Sequence, residues 1–416
     1  MSNIMDYLAW RGDLSFEASP FNEVDNLILS ELAYIDFSGI VAGRGKRLAD
    51  AAEEYFAEGR EEKLAQTALF QAGALGPMLD LLARSPRFSE AWLFCLEQRR
   101  DLARETQFAA ISVDLGTAGV YLAFSGTDDS LVGWKEDFNM SFMDSVPGQL
   151  MACDYLSRVA AERPERTLML GGHSKGGNLA VYAALHAGAA LTMRITAVYN
   201  NDGPGFRESQ LHGPAYEALK ERIHTIVPQS SIIGMLLEHD EDYRVVRSTQ
   251  KGILQHDAFS WQVERDGFVE LSGSAIELEL NEKTLKKAIG GMNRSQLEEF
   301  TDAVFEILTT GGVQTTTEIK DEGLFRSLSA MSKTYAGLSS ETRKLVHETL
   351  SMLVSDRVEA RVELWLKEVQ GSSLAAALGT VWGQLKGLVH RHLPAAEENK
   401  AENKAEEEKA KDSEPT

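Results

Sequence analysis

Cysteine is scarce in this chain. Only Cys95 and Cys153 occur in 416 residues. Neither has metal-ligand or C-x-x-C spacing, and two thiols build no disulfide framework, so a reducing compartment is expected. Positive charge is also short. The chain has 42 Lys and Arg against 63 Asp and Glu, a net charge of −21. Such a chain is repelled by phosphate backbones and anionic lipid surfaces, and no long basic run offsets this, so nucleic acid is not an expected partner. Long apolar runs are missing too. Nothing reaches the ~18 uncharged residues of a membrane span. The opening M-S-N-I-M-D-Y-L-A-W-R-G-D is broken by Asp6, Arg11 and Asp13, unlike a secretory leader. Together these absences lead us to expect a cytoplasmic protein without a transmembrane segment. No internal repeat is visible.

What remains is ordinary globular composition, 43% hydrophobic and 25% charged. That excludes collagen-like and wholly disordered chains. The length suits one large domain with additions, or two domains. Residues 1–105 read as mostly helical, with apolar residues at helical spacing in Asn26 to Ala33 and Glu61 to Arg84. From Phe108 the texture changes. Strand-like runs at 108–113, 119–125, 167–170, 194–200 and 224–227 alternate with helical stretches at 145–162, 178–187 and 213–222. This alternation predicts an α/β architecture with a mostly parallel sheet flanked by helices. Residues 244–248 and 268–271 are candidates for edge strands.

Beyond residue 276 helical stripes return. Ser295 and Glu298 suggest a capping box before Leu297, Phe300, Val304 and Leu308. Further stripes run through Val358 to Val369 and Leu374 to Leu388. From Ala395 to Thr416 there are eight acidic and four basic residues and no aromatics, so a solvated tail is expected.

The stretch that carries chemistry is T-L-M-L-G-G-H-S-K-G-G-N-L-A, Thr167 to Ala180. An apolar strand enters Gly172-His173-Ser174-Lys175-Gly176, and a helix-forming segment leaves it. G-x-S-x-G in strand–turn–helix context marks a nucleophilic serine on a tight turn. Glycines are needed there because a Cβ would collide with strand or helix. The helix N-terminus favours developing negative charge. A glycine-rich turn that merely contains serine is the bland alternative. An acyl-transfer site also needs oxyanion donors. The Lys175 backbone N–H is one. Thr127, in F-S-G-T-D-D before Trp134 and Asp137, is the other candidate, through its N–H or its hydroxyl.

F-S-G-T-D-D-S-L-V-G-W-K-E-D followed by G-H-S-K-G-G-N-L-A resembles the lipase-like branch of the α/β-hydrolase fold. The strings N-E-V-D-N-L-I-L-S-E-L-A-Y-I-D-F, N-N-D-G-P-G-F, V-P-Q-S-S-I-I-G-M-L-L and Q-H-D-A-F-S-W resemble the bacterial Mbeg-like family, whose function is unknown. The resemblance covers about residues 1–275 and implies a fold and a catalytic type, but no substrate. It departs from secreted lipases at Ser125, where they carry arginine, and at Lys175, where leucine or glutamine is usual and which alters the local charge. The implied organisation is a hydrolase-like domain at 1–275, a helical region at 276–393 and an acidic tail at 394–416. The helical region is the candidate surface for a protein partner.

The fold's chain order requires the acid and then the histidine after the serine. Among nine histidines, His239 lies in an acidic turn, and His256 lies in a loop with apolar neighbours, which makes it the candidate base. The bland alternative is a buried histidine satisfied by Asp257. The usual D-I-V-P acid is absent, because that string reads Thr225-Ile226-Val227-Pro228. One strand earlier Asp202 precedes G-P-G-F, a position that resembles D-P-A-x-P of pancreatic-type lipases. Asp240, Asp242 and Asp257 remain rivals. The expected activity is hydrolysis of a small-molecule or lipid acyl ester by Ser174, His256 and Asp202, with Thr127 and Lys175 as the oxyanion hole. No cofactor or metal is implied. Acyl transfer, thioester hydrolysis and a non-enzymatic scaffold on a degenerate hydrolase core are the alternatives. The apolar run Ser230 to Leu237 is either acyl-pocket lining or core.

Overall fold

The computed structural model describes residues 2–60, most of 73–271, residues 294–309 and Thr342. Within 73–271, residues 102, 104, 129, 141, 208, 209, 212, 230, 232, 233, 235–241 and 251 are not described. The stripes at 358–388 and the tail therefore lie outside the described residues, as do His239, Asp240 and most of 230–237.

The elements run α1 (Ile4–Arg11), α2 (Glu23–Leu32), β1 (Lys46–Arg47), α3 (Leu48–Ala57), α4 (Leu75–Arg84), β2 (Trp92–Asp101), β3 (Thr106–Asp114) and β4 (Val120–Phe124). Then follow α5 (Leu131–Asn139), α6 (Pro147–Glu162), β5 (Leu168–His173), α7 (Lys175–Leu185), α8 (Ala189–Thr192) and β6 (Ile195–Asn201). The described chain finishes with α9 (Pro214–Leu219), β7 (Ile223–Pro228), β8 (Tyr243–Val246), β9 (Val263–Glu264), β10 (Gly267–Phe268) and α10 (Arg294–Thr309). One eight-stranded sheet holds β1 to β8 in sequence order. Its first four strands pair antiparallel, and β4 to β8 pair parallel.

Strand periodicity divides two cores. Val120, Leu122 and Phe124 point to one face with Leu168 and Leu170, against α6 and α7. Tyr121 and Ala123 point to the other face with Met169, against α1 to α4. The crossovers from β4 to β7 all step in the same direction. Right-handed connection then places α6, α7 and α9 on one face and leaves the opposite face bare. The N-terminal helices close it, sharing one apolar cluster with the sheet.

Helices α1 and α2 start at reciprocal caps. The Asn22 side chain accepts from the N–H groups of Val24 and Asp25, while Asp25 Oδ2 accepts from Asn22 N–H. Nine of the ten α2 residues are buried, four of them polar: Asp25, Asn26, Ser30 and Glu31. Asp25 pairs with Arg87 at 2.5 Å, with both side chains fully buried. Arg87 also donates to the carbonyls of Leu14, Ser19 and Pro20.

Two local expectations are corrected. Residues 92–101 form a strand, not the end of a helical segment, and Cys95 lies at its bulge with φ +51°. Pairing with β3 decides this, because a short apolar run reads equally as helix or strand. Ser295 is the second residue of α10 and does not cap it. That helix rests on α5, with the Phe305 ring 5.8 Å from the Phe138 ring and Lys135 Nζ 2.7 Å from Asp302. Among the described residues no helix is long and apolar enough to cross a membrane.

Candidate active site

The serine turn is built by close approach. β5 is central, parallel and buried along its whole length. It ends at His173 and is followed by Ser174, whose φ of +58° and ψ of −134° lie in a region that non-glycine residues rarely occupy. Such a residue costs about 1–3 kcal/mol, which the surrounding fold must offset. The Ser174 N–H donates to the Asn201 carbonyl at 2.9 Å, and the Ser174 carbonyl accepts from Gly177 N–H. A Cβ on Gly172 would overlap the Gly176 backbone, and one on Gly176 would overlap the Phe124 carbonyl. Those contacts give the two flanking glycines their steric reason. The strand, elbow and helix on this sheet are α/β-hydrolase architecture.

Asp202 follows β6 by one residue and also has positive φ, +52°. Two of the five non-glycine residues with positive φ among the described residues are thus Ser174 and Asp202. The structure brings Asp202 to His256, 54 residues away, with Oδ2 to Nδ1 at 2.7 Å. Both are buried. Asp202 Oδ1 accepts from the Ser231 hydroxyl, and Ser231 Oγ accepts from Gly234 N–H at 2.9 Å. Of the rival acids, Asp257 uses its carboxylate to cap Phe259 N–H at 3.0 Å. Burial pushes the Asp257 carboxyl up to about 6. Asp242 is exposed, and Thr225 is buried on β7.

The turn after β4 lies against the elbow. A Cβ on Gly126 would stand 2.7 Å from the His173 carbonyl and 2.9 Å from Ser174 Cβ. Thr127 therefore follows directly on that approach. Its hydroxyl donates to Asp137 Oδ2 at 2.6 Å, while Asp137 Oδ1 is buried without a hydrogen-bond partner among the described residues. Burial pushes the Asp137 carboxyl up to about 6, against the pull of Lys175 and the Thr127 hydrogen bond.

Lys175 occupies the first turn of α7, where backbone N–H groups have no intrahelical partner. Its side chain alters the local charge, as the sequence suggested, but from inside the fold, where it pulls on Asp137. It is fully buried, donating to Gln107 O at 2.8 Å and Gln107 Oε1 at 2.6 Å, and pairing with Glu136 at 3.1 Å. Glu136 is itself held by the N–H groups of Gly148 and Gln107. An isolated buried ammonium is untenable, so Glu136 is its required partner.

His173 is buried beneath the serine. Its Nε2 donates to the His256 carbonyl at 2.7 Å, and the two rings lie 4.5 Å apart. Burial and the neighbouring His256 hold its pKa well below the usual imidazole range. Asn201 ties the acid strand to the nucleophile strand, donating to Gly172 O at 3.0 Å and to Ser30 Oγ at 3.1 Å. Asn26 donates back to Asn201 Oδ1 at 2.9 Å.

Sequence reasoning did not single out Ser231, Glu136, Asn201, Asn26, Ser30, Glu31 or Tyr34. A signal existed for the last four. Asn26, Ser30, Glu31 and Tyr34 recur at helical spacing inside an otherwise apolar segment, which says that this face of α2 meets polar groups. For Ser231 and Glu136 nothing local distinguishes them.

The model of the Mbeg1-like family matches residues 82–306. Among solved structures, the Lip2 lipase of Yarrowia lipolytica is 12% identical, covering 47% of this chain and 79% of that one at a TM-score of 0.29. The lipase of Rhizopus microsporus var. chinensis is 15% identical, covering 60% of this chain and 87% of that one at a TM-score of 0.31. No curated protein matches the chain significantly in sequence.

Proposed function

This chain belongs to the Mbeg1-like family, and we propose that it is a serine hydrolase of carboxylic esters. In this reading Ser174 is the nucleophile, His256 the general base and Asp202 the group that orients the imidazole. The observation that carries it is the 2.7 Å contact of His256 Nδ1 with Asp202 Oδ2. It supplies a buried base and its orienting acid in the chain order that the elbow of Ser174 requires.

The chemistry follows from the proton positions. A carboxylate on Nδ1 keeps the proton there and leaves Nε2 as a bare acceptor. Ser174 Oγ attacks the ester carbonyl carbon while Nε2 takes its proton. The backbone N–H groups of Lys175 and Thr127 stabilise the oxyanion, a term of roughly 3–4 kcal/mol for each donor. The tetrahedral intermediate collapses, the carbon–alkoxide bond breaks, and Nε2–H protonates the departing alcohol. Water then attacks the acyl-serine with Nε2 as base, releasing the acid and restoring Ser174. The reading uses no cofactor or metal. Its substrate class is an acyl ester of a small molecule or lipid.

Fluorophosphonate labelling and p-nitrophenyl ester turnover test it. Ser174→Ala should abolish both while leaving the melting temperature within a few degrees. Labelling of the variant at the wild-type rate would remove Ser174 from the mechanism. Wild-type protein inert to both probes would favour the scaffold alternative. Turnover that rises on adding an alcohol or amine acceptor would favour acyl transfer.

A further inference from the structure

Glu31, on α2, is fully buried, and neither of its carboxyl oxygens has a hydrogen-bond partner among the described residues. Buried polar groups are normally satisfied, so an orphaned carboxyl asks for an explanation. Its Oε1 lies 3.5 Å from His173 Nδ1. Tyr34, three residues along from Glu31, brings its hydroxyl to 3.1 Å from the same Nδ1. The opposite ring nitrogen, Nε2, meets the His256 carbonyl at 2.7 Å. The groups facing Glu31 are therefore Tyr34 from the end of α2, His173 from β5, and Asp257 from the segment after His256. Among the described residues no lysine or arginine pairs with it.

We propose that Glu31 is a positioning residue for the hydrolase site: with Tyr34 it fixes the His173 ring, whose Nε2–H holds the backbone of His256. The inference rests on the reading of His256 as the base.

The proton balance is set by the carbonyl. A carbonyl oxygen only accepts, so His173 must carry its proton on Nε2 and present a bare lone pair at Nδ1. Tyr34 Oη–H donates to that lone pair. A charged carboxylate 3.5 Å away would oppose the arrangement by drawing a proton onto Nδ1. A neutral carboxyl removes that pull and rests against the ring at 3.5 Å, leaving the lone pair to the tyrosine. Burial without a counter-charge, and the neighbouring Asp257, both raise the Glu31 pKa well above its ordinary value, which is the direction the geometry needs. His173 is held well below the usual imidazole range, so it does not compete for that proton. The His256 carbonyl then has a fixed donor. The imidazole on the same residue keeps its position against Asp202.

The decisive measurement is histidine nitrogen NMR on the full chain, combined with p-nitrophenyl acetate kinetics. Wild-type His173 should show the Nε2–H tautomer and should not titrate between about pH 5 and 8. Glu31→Leu replaces the polar contact at Nδ1 with a branched apolar group, and should shift the His173 ring-nitrogen signals and lower kcat/KM by roughly 10–100-fold, the scale of a sub-ångström to 1 Å misplacement of a catalytic group. Glu31→Gln keeps size, neutrality and a donor, and should restore both to near wild type. Tyr34→Phe gives the same tautomer test if Glu31→Leu folds poorly. The proposal is overturned if wild-type His173 carries its proton on Nδ1 or titrates. It is equally overturned if Glu31→Leu changes neither spectrum nor kinetics, or if Glu31→Gln is as damaging as Glu31→Leu. A wild-type protein that shows the predicted tautomer but neither labels nor turns over ester would sink the hydrolase reading and leave the Glu31–His173 contact standing.

Discussion

Replacing Asp202 with asparagine isolates the acid. The substitution keeps shape and burial and exchanges one oxygen for an NH2 group. In the native protein Oδ2 accepts from His256 Nδ1 and Oδ1 accepts from the Ser231 hydroxyl. An asparagine has two ways to fill that space. With its oxygen towards Ser231, the old hydrogen bond survives, but the NH2 meets His256 Nδ1. Nδ1 must then become the acceptor and the ring proton moves to Nε2, where it blocks proton transfer from Ser174. With its NH2 towards Ser231, the hydroxyl must turn away. Its oxygen already accepts from Gly234 N–H, and Ser231 is buried. A buried hydroxyl proton left unpaired costs about 1–3 kcal/mol. The first arrangement wins, so the wrong tautomer dominates. Asp202→Asn should lower kcat/KM by about 10⁴-fold, a barrier increase of about 5.4 kcal/mol, with little change in melting temperature. Ser231→Ala should cost about ten-fold, because it leaves a buried carboxylate oxygen short of a donor. The assay is p-nitrophenyl ester turnover with fluorophosphonate labelling of Ser174 alongside. If Asp202→Asn loses less than about ten-fold while Asp257→Asn is inactive, the acid is Asp257 and the argument from Ser231 fails.

Asp137→Asn tests a raised carboxyl. Its native pKa of about 6 exceeds the ordinary 3.8, so folding takes up a proton between those values and wild-type stability falls as pH rises through that window. The asparagine does not titrate and still accepts from Thr127, so its stability advantage in urea unfolding should grow from pH 4 to 6 and then level off. A difference independent of pH would refute this. Asp25→Asn strands the buried Arg87 guanidinium, and should cost about 3–5 kcal/mol in urea unfolding. The carbonyls of Leu14, Ser19 and Pro20 keep it towards the lower end, and a loss below 1 kcal/mol would show that they suffice. Gly126→Ala places a methyl against the Tyr34 hydroxyl, the His173 carbonyl and Ser174, so kcat should fall far more than KM rises. Unchanged kcat would separate the turn from the oxyanion.

Some of this protein is written locally. The turn at Ser174 depends on glycines within two residues of it: Gly172 must clear the backbone of Gly176, although the contact that requires Gly176 comes from Phe124 on β4. The caps at Asn3 and Asn22 are equally local, since each cap and its Asp partner lie three residues apart. The alternation of faces along Val120 to Phe124 follows from side-chain geometry alone. Other features have no local signature. Trp92 to Asp101 is a strand because β3 pairs with it. Lys175 is a buried structural ion because Glu136 arrives from 39 residues away. The place of α2 is set by handedness. Successive right-handed crossovers fill only one face of the sheet, so the other face must be covered by the N-terminal helices. That cover brings Asn26, Ser30, Glu31 and Tyr34 to the ends of β5 and β6, where their partners His173 and Asn201 stand. A polar residue within an apolar helix shows that a partner must exist. Only the packed sheet decides which one, because the partner lies over a hundred residues away and is chosen by topology.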